Sequence, residues 1–268
     1  NYLCRKKVKF LELNLMRILY EYQEADKEAA LITVISSENI NNCSIGDMLL
    51  INAEGTLLAG NLDNDIIRKR AAQQGKICID RGLSRKALIN LPDGNAEIFV
   101  NSFCNEDRLI IAGAGTVSLN IYKLARTVGY KITILDNRPD MLTKERFPEA
   151  YELLLGDIAE NLKLCSSSIK ENTNIVIATH HHEFDEKSLQ TVISSPARYI
   201  GVLGNSRRVA GYFKNLESLN ISNELMNRVH SPIGLDIGGK RTAEIALSVM
   251  AEIQAVKYQR PGGFISKK

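Results

Sequence analysis

The sequence predicts an α/β protein: an N-terminal α+β domain with mainly antiparallel strands, over residues 1–105, precedes a C-terminal doubly wound parallel sheet over residues 106–268. Three observations predict this arrangement. Turn-forming residues separate the strand-like runs of the first half, and strands alternate with helices in the second half. The polar stretch Asn105-Glu106-Asp107 lies between the two patterns and is the predicted domain boundary.

The first half begins with a predicted amphipathic helix over about Phe10–Lys27, where apolar residues recur at three- and four-residue steps. A strand rich in Ile, Val and Thr is predicted over Ala29–Ser36. A short helix is predicted over Ile66–Gln74, ended by Gly75.

Two hairpins are predicted in the same half. Ala53-Glu54-Gly55 and Pro92-Asp93-Gly94-Asn95 are turn-forming segments, and each lies between two apolar runs. The four predicted strands are 47–52, 56–59, 87–91 and 96–103.

The second half shows short, continuous apolar strands separated by helices. The first unit of this pattern is strand Leu109–Ala112, helix Val117–Val128 closed by Gly129, and strand Lys131–Leu135. Later strands are predicted at 175–178 and 199–203, and a long helix at 243–258. Such strands are typical of a parallel sheet that helices cover on both faces.

A glycine turn, Gly113-Ala114-Gly115, joins the first strand of this half to its helix. The first glycine permits a tight turn, and the second lets a phosphate approach the backbone. The helix N-terminus, which begins near Thr116, offers unpaired N–H groups to that phosphate. Serine replaces the usual third glycine at Ser118, and serine is also small.

The second strand ends in Asp136, roughly 20 residues past the glycines, where dinucleotide-binding domains carry a ribose-binding acid. Arg138 follows two residues later. Together, the strand, turn, helix and acid predict a Rossmann-like domain. Two alternatives without a ligand stay open. The turn serves only the backbone geometry between strand and helix, and Asp136 only hydrogen-bonds a loop.

Three of the four histidines follow a predicted strand in the run Thr179–Asp185. Residues just past the carboxyl end of a parallel strand face the ligand crevice. His180, His182 and Asp185 are therefore candidates for ligand binding, for holding a metal ion or for acid–base work. The alternative is a polar loop in which Asp185 caps the next helix.

Two more candidate segments follow later strands. Gly204 and Arg207 suit an anionic ligand, because guanidinium binds phosphate through paired hydrogen bonds. A solvated charged pair at a helix start is the alternative. Asp236 lies between the glycines of the loop Ser231–Gly239, which is either a ligand-covering loop or a buried structural turn.

Composition excludes several classes of protein. The net charge of +3 gives no field that favours nucleic acid, and no apolar run is long enough to span a bilayer. The five cysteines show no CxxC spacing, which argues against a disulfide framework and a zinc knuckle. We therefore expect a cytoplasmic protein that uses neither nucleic acid nor membrane as its partner.

The motifs as an ordered set resemble the XdhC/CoxI family of accessory proteins for molybdenum hydroxylases such as xanthine dehydrogenase. The resemblance covers most of the chain. It rests on the segments GAGTVS (113–118), LDNRP (135–139), ERFP (145–148), THHHEFD (179–185), YIGVLGNSRR (199–208) and PIGLDIGG (232–239).

This resemblance implies a maturation factor rather than a catalyst. Such a protein binds molybdenum cofactor, as molybdopterin or its dinucleotide form, and protects it during sulfuration by a cysteine desulfurase. It then passes the cofactor to a molybdenum hydroxylase apoenzyme. The glycine turn and Arg207 would hold the phosphate, and the histidine loop would lie near the metal or pterin end.

The first half departs from the family pattern. The family's Ser-Ser-Pro-Arg segment appears here as Ser36-Ser37-Glu38-Asn39, and its glycine-rich GGGCLE-type stretch appears as Gly60–Arg68, without the glycines or the thiol. Any cofactor contact through that loop is therefore in question, although Cys43 lies in a nearby polar loop.

Two rival functions stay open. An NAD(P)-binding oxidoreductase or nucleotide sensor would rest on Gly113, Gly115 and Asp136, and a metal-dependent hydrolase would rest on His180, His182 and Asp185. A homodimer is also expected, because the first half looks too thin to bury both faces of its sheet.

Overall fold

The computed structural model describes the backbone of residues 2–204 and 206–267 and the side chains of residues 13–204 and 209–266. The chain forms two compact units, and the division between them falls after Asn105. Each unit has its own sheet.

The first unit is an α+β structure. Its elements are α1 (Tyr2–Glu24), β1 (Ala29–Glu38), β2 (Met48–Asn52), β3 (Leu57–Gly60), α2 (Asp65–Arg81), β4 (Arg85–Leu91) and β5 (Gly94–Phe103).

The sheet of the first unit has five strands in the order β3-β2-β1-β5-β4, and every neighbouring pair is antiparallel. Both predicted hairpins are present, as β2–β3 and β4–β5. Helix α2 buries Ile67 and Cys78 against one face, whereas Leu15 and Leu19 of α1 pack with Ala29 and Leu50. These contacts confirm the predicted antiparallel α+β class.

The predicted end of the second helix at Gly75 is wrong, because α2 continues to Arg81. Gly75 lies inside the helix, where an added Cβ would come within 2.5 Å of Ile51 Cδ1 and 2.9 Å of Ile32 Cδ1. Glycine here allows the helix to lie close to the sheet. The residue that ends the helix is Gly82, which has φ +59° and caps the carbonyls of the last turn.

The second unit alternates strands and helices. Its elements are β6 (Arg108–Ala112), α3 (Thr116–Thr127), β7 (Lys131–Asp136), β8 (Glu152–Leu155), α4 (Ile158–Leu164), β9 (Thr173–Ile177), α5 (His182–Val192), β10 (Tyr199–Val202), α6 (Ser206–Ser218), α7 (Asn223–Met226), β11 (Val229–His230) and α8 (Thr242–Lys257).

The six strands of this unit are parallel and lie in the order β11-β10-β9-β6-β7-β8. Numbered along the unit, this is the 3-2-1-4-5-6 order of a Rossmann sheet read from β8. The order reverses between β6 and β9, and ligands of such sheets bind outside the carboxyl ends of the strands at that point. The predicted Rossmann-like class is confirmed.

Helices cover both faces of this sheet, as predicted. Successive residues of β6 point to opposite sides, so Leu109 and Ile111 pack with α3 and α8. Ile110 and Ala112 pack with α4, α5 and α6. The sequence did not predict β8 or β11, which are short strands of four and two residues at the sheet edges.

An ion-pair cluster lies at the edge of the sheet opposite the carboxyl ends of the strands. Asp107 accepts a hydrogen bond from Arg198 Nη1 at 2.6 Å and pairs with Lys257 at the end of α8. The cluster therefore joins the start of β6 to the segment before β10 and to the last helix, far along the strands from the glycine turn.

Candidate functional site

Gly113 is fixed by the chain around it. Its φ is +112°, and its N–H donates to Leu135 O at 2.7 Å. An added Cβ would lie 2.2 Å from Ala178 O, on the chain just past β9. Only glycine can therefore occupy this position, because both the backbone angle and the neighbouring strand exclude a side chain.

Gly115 has no such internal reason to be glycine. Its φ is −71°, which any residue adopts, and no described atom lies within 4 Å of an added Cβ. It is the N-cap of α3, and no described side chain caps that helix start. Thr116 follows as an exposed residue. The space beside Gly115 is thus open at a helix N-terminus, where unpaired N–H groups suit an anion.

Asp136 lies directly behind this turn and is fully buried. Its Oδ2 accepts from Ala114 N at 2.6 Å and from Arg138 Nη2 at 2.8 Å. Its Oδ1 accepts from both the backbone N and the Nε of Arg138, each at 2.9 Å. A carboxylate offers about four acceptor sites, so these bonds leave none for a ribose hydroxyl.

The pairing with Arg138 favours the ionised form of Asp136. Burial by itself would raise the pKa of Asp136, but the hydrogen bonds from Arg138 and Ala114 outweigh it and hold the pKa below its ordinary value. The same hydrogen bond raises the pKa of Arg138. The position of Asp136 therefore agrees with the alternative that needs no ligand, in which this acid hydrogen-bonds a loop. The loop in question is the glycine turn.

Arg146 holds Ala114 from the other side, through the carbonyl of the next peptide. Its Nη2 donates to Ala114 O at 3.0 Å, and its Nη1 lies 3.3 Å from the sulfur of Met141. Its Nε is buried, and no described group accepts from it. Ala114 is thus clamped at its N–H by Asp136 and at its carbonyl by Arg146. Arg146 belongs to the sequence motif ERFP, but the position of that motif in the sequence did not indicate a contact with the glycine turn.

Asp185 fixes the histidine loop at the end of β9. It is buried, and its Oδ1 accepts from Thr179 N at 3.0 Å and from Thr179 Oγ1 at 2.7 Å. Its Oδ2 lies 3.5 Å from the hydroxyl of Tyr212. Asp185 lies in the first turn of α5, whose N-cap is His181. Its role in this structure is to tie the helix to the strand end.

The three histidines of this loop are exposed. The rings of His180 and His181 lie 4.6 Å apart between centroids, and both lie near Phe184. Partial desolvation and the charge of Arg138 lower the pKa of His180. Among the described residues, no three His, Cys, Asp or Glu side chains stand close enough to hold a metal ion.

The profile of the XdhC Rossmann domain matches residues 109–253, which is more than half of the chain. The chain belongs to the XdhC family. The match contains the glycine turn, Asp136, the histidine loop and the loop after β11, so it confirms the family that the sequence motifs indicated.

Two curated proteins resemble this XdhC family member. It is 32% identical over 178 residues to YqeB of Escherichia coli (strain K12), and 32% identical over 167 residues to a protein of Bacillus subtilis (strain 168) that is named as a probable subunit of xanthine dehydrogenase. These matches cover 65% and 62% of the chain. The chain spans only 32% and 48% of the lengths of the two relatives.

A crystal structure from Bacillus halodurans, described as a xanthine dehydrogenase, has the same fold. The two chains superpose with a TM-score of 0.54 at 18% sequence identity, over 92% of this chain and 96% of the other. At that identity, the likeness shows the fold alone. It does extend over both units, whereas the family profile begins in the second.

A partly buried acid, Glu252, supports the loop Ser231–Gly239 of this XdhC family member. Glu252 of α8 accepts from Gly234 N at 3.0 Å and from the hydroxyl of Tyr199. Its Oε1 lies 3.6 Å from His230 Nδ1. Burial would raise the pKa of Glu252, but the bonds from His230, Tyr199 and Gly234 lower it. Burial and Glu252 together raise the pKa of Tyr199.

The remaining predicted residues lie at neighbouring strand ends. Gly204 follows β10 and is partly buried, while Asp236 is exposed in the loop after β11. Arg207 falls in α6, and its side chain lies outside the described residues. The structure brings Gly113, Gly115, Asp136, Arg138 and His180 to one point, where β6, β7 and β9 end.

Sequence reasoning missed Arg146, Phe184 and Glu252. Arg146 and Phe184 stand in motifs that the sequence displayed, but Arg146 contacts the distant Ala114, whereas Phe184 contacts the nearby rings of His180 and His181. Glu252 looked like an ordinary helix position, and the only signal was an acid on the apolar side of an otherwise hydrophobic helix. Contacts between distant segments give Arg146 and Glu252 their partners, whereas Phe184 meets its partners within one helical turn.

Proposed function

We propose that this chain is a non-catalytic accessory factor that binds molybdenum cofactor and assists its sulfuration and its insertion into a xanthine dehydrogenase-type hydroxylase. Support comes from the family, from the name of the Bacillus subtilis relative and from the glycine turn. In this proposal, the cofactor is cargo: the chain binds it, shields it and releases it.

Gly115 is the observation that carries the proposal. The fold requires glycine at Gly113, but it leaves the space around Gly115 open. A ligand phosphate at that point would explain the second glycine, because a methyl group there would stand between the phosphate and the N–H groups of α3. Molybdopterin carries such a phosphate, and its dinucleotide form carries a pyrophosphate. The residues present therefore fit the anionic end of this cofactor.

Several groups would bind the cofactor in this arrangement. The N–H groups of Gly115 and Thr116 would face the phosphate, and Arg146 would add a positive charge at the same turn. Gly204, Arg207 and Asp236 belong to neighbouring strand ends and would border the ligand there. His180 and His182 would lie on the other side of the crevice.

Titration of the purified chain with molybdenum cofactor, in mononucleotide and dinucleotide forms, tests the proposal. We expect saturable binding that Gly115→Ala weakens at least about tenfold, because loss of one charge-assisted contact has roughly that effect. Gly211→Ala is the matched control: it adds the same methyl group to α6, where no described atom lies within 4 Å. Absence of saturable binding of both cofactor forms would contradict the proposal.

The rival NAD(P) function uses the same turn but needs the ribose-binding acid. Asp136 is fully buried, and its acceptor sites are occupied by Ala114 and Arg138. A nucleotide that binds only the native state must raise the melting temperature. We expect no rise with millimolar NAD(H) or NADP(H), and a rise of several degrees would favour the rival.

The partners and location follow from the same proposal. We propose that the chain contacts a cysteine desulfurase and a molybdenum hydroxylase apoenzyme and that it acts in the cytoplasm, where thiols stay reduced. Cys43, Cys78 and Cys165 are buried and free. In the described part of the chain, no helix combines the length and the apolar character that a membrane span needs.

We also propose a homodimer. Leu13, Met16 and Tyr20 recur at helical spacing on α1, and each side chain is exposed. Apolar side chains on one helix face favour association with another surface. Sedimentation at micromolar concentration should show a dimer, and a monomer would contradict this part of the proposal.

A further inference from the structure

Three rings form an aromatic cluster at the start of α5. The centroids of His180 and His181 are 4.6 Å apart, and the ring of Phe184 lies 5.2 Å from the first and 6.0 Å from the second. Both histidines are exposed, and Phe184 is half-buried. Exposed rings that contact each other leave their outer faces available for a further aromatic partner.

The loop that carries these rings is fixed from beneath. Thr179 Oγ1 lies 2.8 Å from the backbone carbonyl of His181, and Thr179 N donates to the buried carboxylate of Asp185. Phe184 is part of the first turn of the same helix. The rings therefore start from a set backbone geometry, which lowers the entropy lost when a ligand binds them.

The cluster borders the crevice that the glycine turn defines. The chain at Ala178 and Thr179 passes so close to Gly113 that no Cβ fits between them. His180 is the next residue, and it is near enough to Arg138 and Asp136 for their charges to act on its imidazole. One ligand that extends from Gly115 across the ends of β6 and β9 would meet these rings.

We propose that His180, His181 and Phe184 form a stacking surface for a flat nitrogen heterocycle. This inference rests on the proposed function, in which the heterocycle belongs to the ligand whose phosphate lies at Gly115. Two parts of that ligand have the required chemistry: the pterin, and the nucleobase of the dinucleotide form. The imidazoles act here through their ring faces and do not need to hold a metal ion.

Fluorescence of neopterin offers a direct test on the full chain, because stacking quenches it and the protein contains no tryptophan. We expect saturable quenching. The double variant His180→Ala/His181→Ala should weaken it at least about tenfold, as loss of a stacking partner does elsewhere. Glu183→Gln is the control, because this exposed residue lies in the same segment and carries no ring.

A second variant separates stacking from ligation. His180→Phe/His181→Phe keeps two flat rings but removes the imidazole nitrogens of these two residues, which could bind a metal or a proton. Retained quenching in this variant supports the stacking surface. Loss of quenching equal to that of the double alanine variant would overturn it, because the imidazole nitrogens would then carry the binding. Circular dichroism checks that both variants are folded.

Competition identifies which heterocycle the surface prefers. Displacement of neopterin by CMP or GMP would assign the rings to the nucleobase, whereas no displacement would assign them to the pterin, and either result supports the surface. Absence of neopterin quenching, together with equal affinity of wild type and double alanine variant for the dinucleotide cofactor, would overturn it while leaving the proposed function intact. Neopterin quenching without cofactor binding would instead reject the proposed function alone.

Discussion

The carboxylate of Asp136 accepts a hydrogen bond from the N–H of Ala114 at 2.6 Å. The acid at the end of β7 therefore holds the glycine turn at the end of β6. In dinucleotide-binding sheets, an acid at this place faces the ribose. Here Arg138 covers it instead, with Nε and Nη2 bonds to the two carboxylate oxygens. The acid is used to shape the phosphate-binding turn.

Asp136→Asn should destabilise the second unit. The amide keeps the size of the carboxylate but replaces an acceptor with a donor, which leaves Ala114 or Arg138 facing an N–H group. We expect a loss of about 3 kcal/mol in the free energy of unfolding, as for other broken buried ion pairs. Urea unfolding followed by circular dichroism measures it. Asp140→Asn, an exposed acid four residues away, should change stability by less than about 0.5 kcal/mol.

The stability difference between wild type and Asp136→Asn should depend on pH with a definite sign. The pKa of Asp136 lies below its ordinary value of 3.8 in the folded protein. Its contribution is therefore complete above pH 3.8 and is lost as the pH falls further, through the folded pKa. The gap between wild type and Asp136→Asn should stay constant from neutral pH down to about pH 5 and narrow below pH 3.8. A gap that widens in acid would contradict the assignment.

Local pattern was sufficient to predict the fold class, although it did not predict the short edge strands β8 and β11. Periodic apolar residues, turn segments and short apolar strands predicted both sheets. Gly75 shows where that reasoning fails: a glycine in a helical pattern predicts an end, but here it serves helix–sheet packing against Ile51. A sequence does not distinguish the two, since the neighbour that requires the glycine lies in another strand.

The candidate site was predictable only in part, for a similar reason. Strand ends at the switch point of a parallel sheet converge, so Gly113, Asp136 and His180 could be grouped from sequence. The role of each side chain at that point could not be predicted from sequence. Asp136 has the position of a ribose ligand, and its partner Arg138 turns it inward. Asp185 resembled a helix cap, yet it accepts from Thr179 behind the loop.

The two glycines of the turn should respond differently to alanine. Gly113→Ala places a Cβ 2.2 Å from Ala178 O at φ +112° and should cost about 2 kcal/mol or more of stability. Gly115→Ala meets no described atom within 4 Å and should cost less than about 1 kcal/mol, the usual effect at an N-cap. Thermal melts of both variants without ligand test this contrast. Equal destabilisation would show that Gly115 also serves the fold.

Arg146 should matter to ligand binding more than to stability. Arg146→Gln removes the charge and keeps a donor near Ala114 O, which the guanidinium now contacts at 3.0 Å. Even complete loss of this one hydrogen bond would cost only about 1 kcal/mol of folding free energy. We expect affinity for the cofactor phosphate to fall at least about tenfold, since a charged contact is roughly twice as strong as a neutral one. Isothermal titration of Arg146→Gln beside Arg126→Gln, an exposed arginine of α3, measures the difference.

Tyr199 and Tyr130 form a matched pair for testing the role of Glu252. The hydroxyl of Tyr199 donates to Glu252, which also holds the N–H of Gly234. Tyr199→Phe should therefore cost about 2 kcal/mol, the usual value for a hydrogen bond to a charged group. The hydroxyl of Tyr130 is also buried, but it has no hydrogen-bond partner among the described residues, so Tyr130→Phe should be neutral or stabilising. Urea unfolding of the two variants under one set of conditions compares them. A loss for Tyr199→Phe no greater than that for Tyr130→Phe would show that the Tyr199–Glu252 hydrogen bond does not stabilise the fold.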